Sequence, residues 1–290
     1  MKILLTGKNG QVGWELQRTL ATLGEVVAFD REGMDLANPD SILIAIRAVR
    51  PDLIVNAAAY TAVDKAESEH ELAMAINGIA PGIMAEEAKR LGAAMIHYST
   101  DYVFDGTKTS PYTEEDTPNP LSVYGKTKLA GEQAIQAAGI SHLIFRTSWV
   151  YGARGRNFLL TILRLAKERD ELRIVVDQIG APTWSRMIAE ATAQILAQAY
   201  SPMSHHPLLI AEVSGIYNLT AAGRTSWFGF TQAILENAQM GTQVIPIPTS
   251  DYPLPAPRPL FSLLSSDKLS KTFGMKLPPW EDALALCMAR

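Results

Sequence analysis

Tyr124 and Lys128 stand four residues apart in the run Tyr124-Gly125-Lys126-Thr127-Lys128, at the start of a stretch with helical patterning. Positions i and i+4 of a helix share a face, so this phenol and amine are neighbours. A phenol ordinarily titrates near about 10. An ammonium beside it stabilises the phenolate and lowers that value by about 1–3 units. The pair is then a proton donor whose conjugate base is tolerated, which is what reduction of a carbonyl requires. Taken alone the spacing is weak, because any surface helix can carry it. The run His97-Tyr98-Ser99-Thr100-Asp101 ends a strand-like stretch and would deliver hydroxyls and a carboxylate to the same region.

A second constellation lies at the amino end. Gly7-Lys8-Asn9-Gly10-Gln11-Val12-Gly13 follows the apolar run Lys2 to Thr6 and precedes a helical pattern. Glycines between a strand and a helix permit a tight turn, close backbone approach to a pyrophosphate and close helix-to-strand packing. The helix N-terminus then offers free N–H groups and a positive dipole end. Asp30, about 20 residues further on, ends the next strand-like run, where a carboxylate takes an adenosine ribose hydroxyl. That acid favours NAD, because it repels a 2′-phosphate. Arg31 beside it either pairs with such a phosphate or is a solvated surface charge, so NADPH and NADH both stay open.

The elements that must position these residues alternate. Short apolar runs at Lys2–Thr6, Val26–Phe29, Leu53–Val55, Met95–Tyr98 and His142–Phe145 are separated by helical patterns at Val12–Leu23, Ser41–Arg50, Glu67–Leu91 and Val123–Ala138. The long third pattern carries a candidate break near Pro81. Such alternation predicts an α/β fold, a doubly wound, Rossmann-like parallel sheet with right-handed crossovers. Residues 1–150 are expected to form the dinucleotide-binding core. Residues 151–290 are expected to be mainly a smaller C-terminal substrate-binding region, with some segments returning to the core. There Phe158–Arg169, Arg186–Tyr200 and Trp227–Ala238 pattern as helices, Ile216–Leu219 as a strand, and Ser201–Pro207 as a surface loop. Thr249–Pro259 holds four prolines and no regular pattern.

Charge and composition exclude several classes. Lys and Arg total 26 against 30 Asp and Glu, a net charge of −4, so no overall basic surface attracts nucleic acid or anionic lipid. The single cysteine, Cys287, excludes an intramolecular disulfide and a multi-cysteine zinc site, and has no neighbouring activator in the sequence. No apolar stretch reaches 18 residues and the N-terminus lacks a secretory pattern, so a cytoplasmic protein is expected.

The glycine turn, Asn56-Ala57-Ala58-Ala59, Ser99 through Phe104 and the Tyr124/Lys128 pair together resemble the extended short-chain dehydrogenase/reductases. Longer blocks are similar to the dTDP-4-dehydrorhamnose reductase branch of that family: Gly10 through Leu16, Ala62 through Glu67, Tyr124 through Glu132, Phe145 through Tyr151 and Gly180 through Thr183. The likeness is dense through residue 183 and thinner afterwards. It implies NADPH- or NADH-dependent reduction of the 4-keto group of dTDP-4-dehydro-6-deoxy-L-mannose to dTDP-L-rhamnose. By position it makes Tyr124 the proton donor, Lys128 the holder of the nicotinamide ribose, and Thr100 the hydroxyl at the keto oxygen. It places Gln11 and Val12 at the pyrophosphate, beside the turn glycines Gly7, Gly10 and Gly13 already read from the motif, and Asp30, Asp35 and Leu36 at the adenosine, next to Arg31. Ala59, Tyr60, Thr61 and Tyr98 fall on the nicotinamide side; Val63, Asp101, Tyr102 and Trp149 face the sugar nucleotide. Arg258 either binds the substrate diphosphate or anchors its loop, and Phe261 stands where the family usually has asparagine.

Some members of the branch are described as dimers joined through magnesium. Glu15 matches one ligand position, but Arg186 and the pair Ala289-Arg290 supply no acid, so no metal is expected, and the chain is expected to be a monomer or homodimer. His205 and His206 are adjacent loop residues with poor spacing for metal. Trp14, Trp184, Trp227 and Trp280 are expected to serve packing rather than stacking on a ligand. Two other functions share the fold: another nucleotide-sugar reductase or epimerase, and a non-catalytic NADP-binding subunit resembling the regulatory subunit of methionine adenosyltransferase.

Overall fold

The computed structural model describes residues 1–199 and 208–289, so the His205/His206 pair and Arg290 lie outside the described residues. Six strands form the main sheet: β1 (Lys2–Thr6), β2 (Glu25–Phe29), β3 (Leu53–Asn56), β4 (Ala94–Thr100), β5 (His142–Thr147) and β6 (Gly215–Asn218). Their order is β2-β1-β3-β4-β5-β6 and every pairing is parallel. The helices between them are α1 (Gln11–Thr19), α2 (Pro39–Val49), α3 (Ala80–Leu91) and α4 (Val123–Ala138). The order reverses between β1 and β3, and ligands of such sheets bind at the carboxyl ends of the strands at this switch point.

The strands are largely apolar because both faces of the sheet are covered, with polar residues toward their carboxyl ends. Alternate side chains sort into two cores. Ile3, Leu5, Leu53, Val55, Ile96 and Phe145 pack beneath α1 and the later helix Ser185–Ala199. Leu4, Ile54, Met95 and Ile144 pack on the opposite face with Ile42, Ile46, Met84 and Ile135 from α2, α3 and α4. Strand β6 and the helix Ser185–Ala199 thus both lie on the main sheet, although they follow residue 150.

The long helical pattern before β4 is continuous rather than broken at Pro81. His70–Met74 runs through one π turn, Ala75–Ile79, into α3. The widened turn stands immediately before a proline, whose ring and missing N–H an ordinary ladder does not accommodate. It also buries Asn77, whose amide accepts from Tyr60 N–H at 2.8 Å and donates to Tyr60 C=O at 3.0 Å. This ties the loop after β3 to the helix.

Beyond the sheet, Tyr151, Trp184, Phe230, Trp280 and Leu284 build a smaller core from the helices Phe158–Glu168, Trp227–Asn237 and Trp280–Met288. Two short strands the sequence did not announce, Glu171–Val175 and Gln243–Ile247, pair in parallel there.

Arg146 on β5 and Glu132 on α4 form a bidentate ion pair at 3.0 and 2.7 Å, with side chains only 2% and 1% exposed. A lone charge left in that place is unsolvated. Glu132→Ala is therefore expected to lose about 3–5 kcal/mol of stability, read as a lower urea midpoint, whereas removal of an exposed pair such as Arg164–Glu168 changes it by less than about 1 kcal/mol.

Candidate active site

A cleft of about 780 Å³ opens at the switch point and runs from the end of β2 to the start of α4. The glycine turn forms its floor. Gly7 has φ of +73°, and a Cβ on it would stand 2.9 Å from the Ala58 backbone. Gly13 is packed harder still: its Cβ would meet Gly7 O at 2.1 Å, so this glycine seats α1 against the turn rather than lining the cleft. Gly10 caps α1 with no side-chain bond to its first N–H groups. Uncapped N–H groups at a helix start suit an anion, so turn and helix fit the pyrophosphate of a dinucleotide. Gln11 reaches across the cleft mouth, donating to Val150 C=O and accepting from Asn157, whose neighbours Gly155 and Arg156 form the opposite rim.

At the β2 end, Asp30 is not a free carboxylate. Lys8 Nζ lies 3.0 Å from it, Asn9 donates to it, and Gly33 N–H caps it. Lys8 above all holds its carboxyl below the usual range. Arg31 is exposed and only 3.8 Å from Asp35, leaving its guanidinium beside the cleft. Sequence reasoning weighed Asp30 against Arg31 alone. Lys8 lies within the glycine turn, and its partner became visible only with the parallel pairing of β1 and β2.

At the other end, Ser122 caps α4, its hydroxyl accepting from Gly125 N–H at 3.2 Å. This fixes the first turn and points Tyr124 and Lys128 into the cleft. The expected lowering of the phenol is overturned. Burial raises Tyr124 to about 12, the Thr100 hydroxyl offsets part of this, and Asp101 adds to the rise. Lys128 does not reach the phenol because its Nζ turns inward, donating to Tyr98 C=O at 2.6 Å and lying 3.1 Å from His97 Nε2. Tyr124 therefore stands fully protonated.

Thr100 ends β4. Its hydroxyl donates to Asp101 at 3.1 Å and accepts from Tyr102 N–H. Asp101 is 2% exposed, and burial pushes its carboxyl up to about 7. Near neutrality Asp101 is therefore partly protonated and can donate as well as accept. Its Oδ2, with Ser99 Oγ and Thr147 Oγ1 nearby on the strand ends, is buried without a hydrogen-bond partner among the described residues. Buried polar groups are normally satisfied; Ser99 and Thr147 line the cleft, so their orphaned hydroxyls mark where a ligand's polar groups fit, whereas Asp101 lies outside that lining with the Ser262 hydroxyl against it. Tyr102 meets Tyr124 edge-on at 6.0 Å. Trp149 has φ of +47°, a strained left-handed backbone for a bulky residue. It stacks on Trp227 at 3.6 Å with planes 6° apart, and Trp227 packs in turn against the smaller core; neither ring lines the 780 Å³ cleft.

The family profile described as "RmlD substrate binding domain" matches residues 1–290. A dTDP-4-dehydrorhamnose reductase from Burkholderia thailandensis is 51% identical over 99% of this chain and 98% of its own length. The chain belongs to the dTDP-4-dehydrorhamnose reductase family. Among solved members, the Clostridium acetobutylicum protein is 37% identical, with a TM-score of 0.92 over 99% of this chain and 98% of its own. The Bacillus anthracis protein, solved in complex with NADP, is 34% identical, with a TM-score of 0.89 over the same shares.

Most of the residues expected at a cofactor line the cleft: Gly7, Gly10, Gln11, Val12, Asp30, Arg31, Asp35, Leu36, Ala59, Thr61, Tyr98, Tyr124 and Lys128. Gly13 and Tyr60 do not. The Tyr60 hydroxyl donates to Glu69 and turns away. Tyr98 presents little more than its backbone, since its hydroxyl bonds Thr192 inside the core. Val63 opens the short helix Val63–Ala66, which carries Asp64. Asp64 engages both Arg258 amino groups at 2.7 and 2.8 Å, the geometry of a loop anchor, with Tyr102 also against the guanidinium. Among the described residues no group of three His, Cys, Asp or Glu is placed to hold a metal, and Arg186 pairs with Glu190 at 2.8 Å. Cys287 is pushed up to about 12 by burial. Trp14 lies between the Arg18 and Arg154 guanidiniums, while Trp184 and Trp280 are core residues.

The raised Asp101 carboxyl carries a stability signature. Between the unfolded value of about 3.9 and the folded value of about 7, the native state keeps a proton that the unfolded chain has lost. Stability present below the lower value is thus lost as pH rises through the upper one, by up to about 4 kcal/mol. Asp101→Asn lacks this slope. It is expected to be more stable than the parent at pH 8, with the margin gone at pH 4, in urea unfolding at both values.

Proposed function

We infer that this chain reduces the C4 ketone of dTDP-4-dehydro-6-deoxy-L-mannose to dTDP-L-rhamnose, with NADPH or NADH as cofactor. Full-length family membership carries the reading, and the Thr100 hydroxyl against Tyr124, with Tyr124 and Lys128 both lining the cleft, supports it. In this reading residues 1–150 hold the cofactor and residues 151–290 mainly the sugar nucleotide, with β6 and Ser185–Ala199 returned to the core. No described helix is long and apolar enough to cross a membrane; a cytoplasmic monomer or homodimer without a structural metal is proposed.

The bound nicotinamide supplies the hydride. The chain supplies geometry and a proton. Helix α1 and the glycine turn hold the pyrophosphate; Lys8 and Arg31 offset Asp30 so that an adenosine 2′-phosphate is accepted. Thr100 donates to the ketone oxygen, and Tyr124 protonates that oxygen as charge builds on it. A phenol raised to about 12 enters the reaction with its proton in place. Asp101 and the Trp149–Trp227 wall orient the sugar, whose C6 methyl suits an indole face.

Two measurements test this. Tyr124→Phe should lose about 10²–10⁴-fold in rate while still binding NADPH; turnover of the keto-sugar near the parent rate would remove Tyr124 from its role. Net oxidation of NADPH by the keto-sugar also separates a reductase from an epimerase or a binding subunit, neither of which consumes it. For the cofactor, Lys8→Ala removes a cation and frees the Asp30 charge. It should weaken NADPH by about tenfold, near 1.4 kcal/mol, and NADH by less, in direct titrations of both.

A further inference from the structure

One rim of the cleft has no role in that mechanism: the turn Gly152-Ala153-Arg154-Gly155-Arg156-Asn157. It is closely tied rather than loose. Asn157 Nδ2 lies 2.9 Å from Gly152 C=O and 3.0 Å from Arg154 C=O, which closes the turn on itself. The same nitrogen lies 2.9 Å from Gln11 Oε1. Asn157 Oδ1 accepts from Leu160 N–H at 3.0 Å and so caps the helix Phe158–Glu168. Gly155 has φ of +77°, and a Cβ on it would stand 3.6 Å from Gln11 Cγ. On the outer side the Arg154 guanidinium lies 3.2 Å from the centre of the Trp14 ring. The turn is thus fastened to α1 at two points, Gln11 and Trp14.

This fastening fixes where Arg156 stands. Its chain neighbours Gly155 and Asn157 both meet Gln11, the first residue of α1, so Arg156 is held across the opening from that helix start. It is exposed and lines the cleft. Of the other cationic residues in the lining, Arg31 leans to Asp35 and Lys128 donates to Tyr98 C=O. Arg156 has no ion pair and no hydrogen-bonded partner for its guanidinium among the described residues. The carboxylates of the lining, Asp30, Glu32 and Asp35, all belong to the β2 end. The start of α1 carries N–H groups without a side-chain cap. Two electropositive features therefore share one opening with no protein anion beside them, and a ligand's anion completes such a site. A guanidinium fork matches the oxygens of a phosphate. Asp101, Trp149 and Arg258, the residues expected at the sugar nucleotide, lie outside this lining, so the anion is the cofactor's.

We propose that Arg156 binds the cofactor's pyrophosphate from the rim opposite α1. The proposal builds on the reductase reading in one respect, that a nicotinamide dinucleotide occupies the cleft. The helix start offers that diphosphate N–H groups; Arg156 offers it a full charge. Because the turn beneath the arginine is already tied down by Asn157 and Arg154, only the arginine's own side chain loses freedom when the cofactor arrives. NADPH and NADH share the pyrophosphate, so Arg156 strengthens both alike. Lys8 and Arg31, at the adenosine end, act on the 2′-phosphate and tell the two apart. One basic end of the cleft sets how tightly a dinucleotide is held, and the other sets which one.

Direct titrations of NADPH, NADH and dTDP into the parent protein and Arg156→Gln test this without turnover. The variant should bind NADPH and NADH each about tenfold more weakly, near 1.4 kcal/mol, and dTDP as the parent does. Its urea midpoint should match the parent's, since the arginine gives up no partner within the protein. Arg156→Lys keeps the charge without the fork and should fall between the two. The deficit of Arg156→Gln should shrink at about 1 M sodium chloride, where charges are screened beyond about 3 Å. Unchanged affinity for both cofactors overturns the proposal. So does a loss confined to NADPH, which moves Arg156 to the 2′-phosphate, or one confined to dTDP, which moves it to the substrate. A loss for both cofactors that salt leaves untouched also overturns it, because the arginine then stacks on a ring instead of pairing with a charge. None of these results touches the reductase reading, which stands or falls on keto-sugar turnover.

Discussion

Parallel strands send successive side chains to opposite faces of a sheet, and this two-residue period governs both stability and chemistry here. It sorts Ile3, Leu5, Val55 and Ile96 to one core and Leu4, Ile54 and Met95 to the other. Carried one step further, the same period drops Thr6, Asn56 and His97 onto a single face at matching register. A slip of one residue in β3 would send Asn56 to the opposite face and leave His97 beside an apolar neighbour. The cores resist any such slip, so apolar packing indirectly holds a polar row in line.

Helix α4 meets this row from above, and its polar groups are out of water. Lys128 and Glu132 are both 1% exposed or less. Removing charges from water is costly unless each finds a partner. Glu132 finds Arg146, whereas Lys128 finds a carbonyl and a neutral imidazole. The first arrangement keeps both charges; the second lowers the lysine to about 8, which still leaves it mostly ammonium at neutral pH. Asp101, buried with an unpartnered oxygen, follows the same logic and leans toward its neutral form. At the opposite end of the cleft, Lys8, Asp30 and Arg31 keep their formal charges within reach of solvent.

Much of this was legible in the sequence because it is local. The glycine turn, the α4 start with its Tyr124/Lys128 spacing, and the five leading strands each announce themselves within a few residues. What was not legible depends on partners distant in sequence. Lys8 meets Asp30 across two strands, Arg258 meets Asp64 across most of the chain, and Tyr60 is diverted by Glu69 on a helix whose start the pattern blurred. The π turn hid because its residues fit an α-helical pattern equally well. The Tyr124 expectation erred for one geometric reason: sharing a helix face does not make two side chains touch when one has a better partner below. The strands Glu171–Val175 and Gln243–Ile247 escaped notice because each is half exposed, and a proline lies inside the second.

The Trp149–Trp227 stack joins the end of β5 to a helix of the smaller core, nearly 80 positions later in the chain. Two indoles face to face at van der Waals distance couple their electronic transitions. Such coupling gives paired bands of opposite sign in circular dichroism and shifts the tryptophan emission. The protein therefore carries a built-in optical gauge of the distance between the main sheet and the smaller core. Any movement that parts the two indoles by a few ångströms will quench the coupled bands, with no label attached and no substrate turned over.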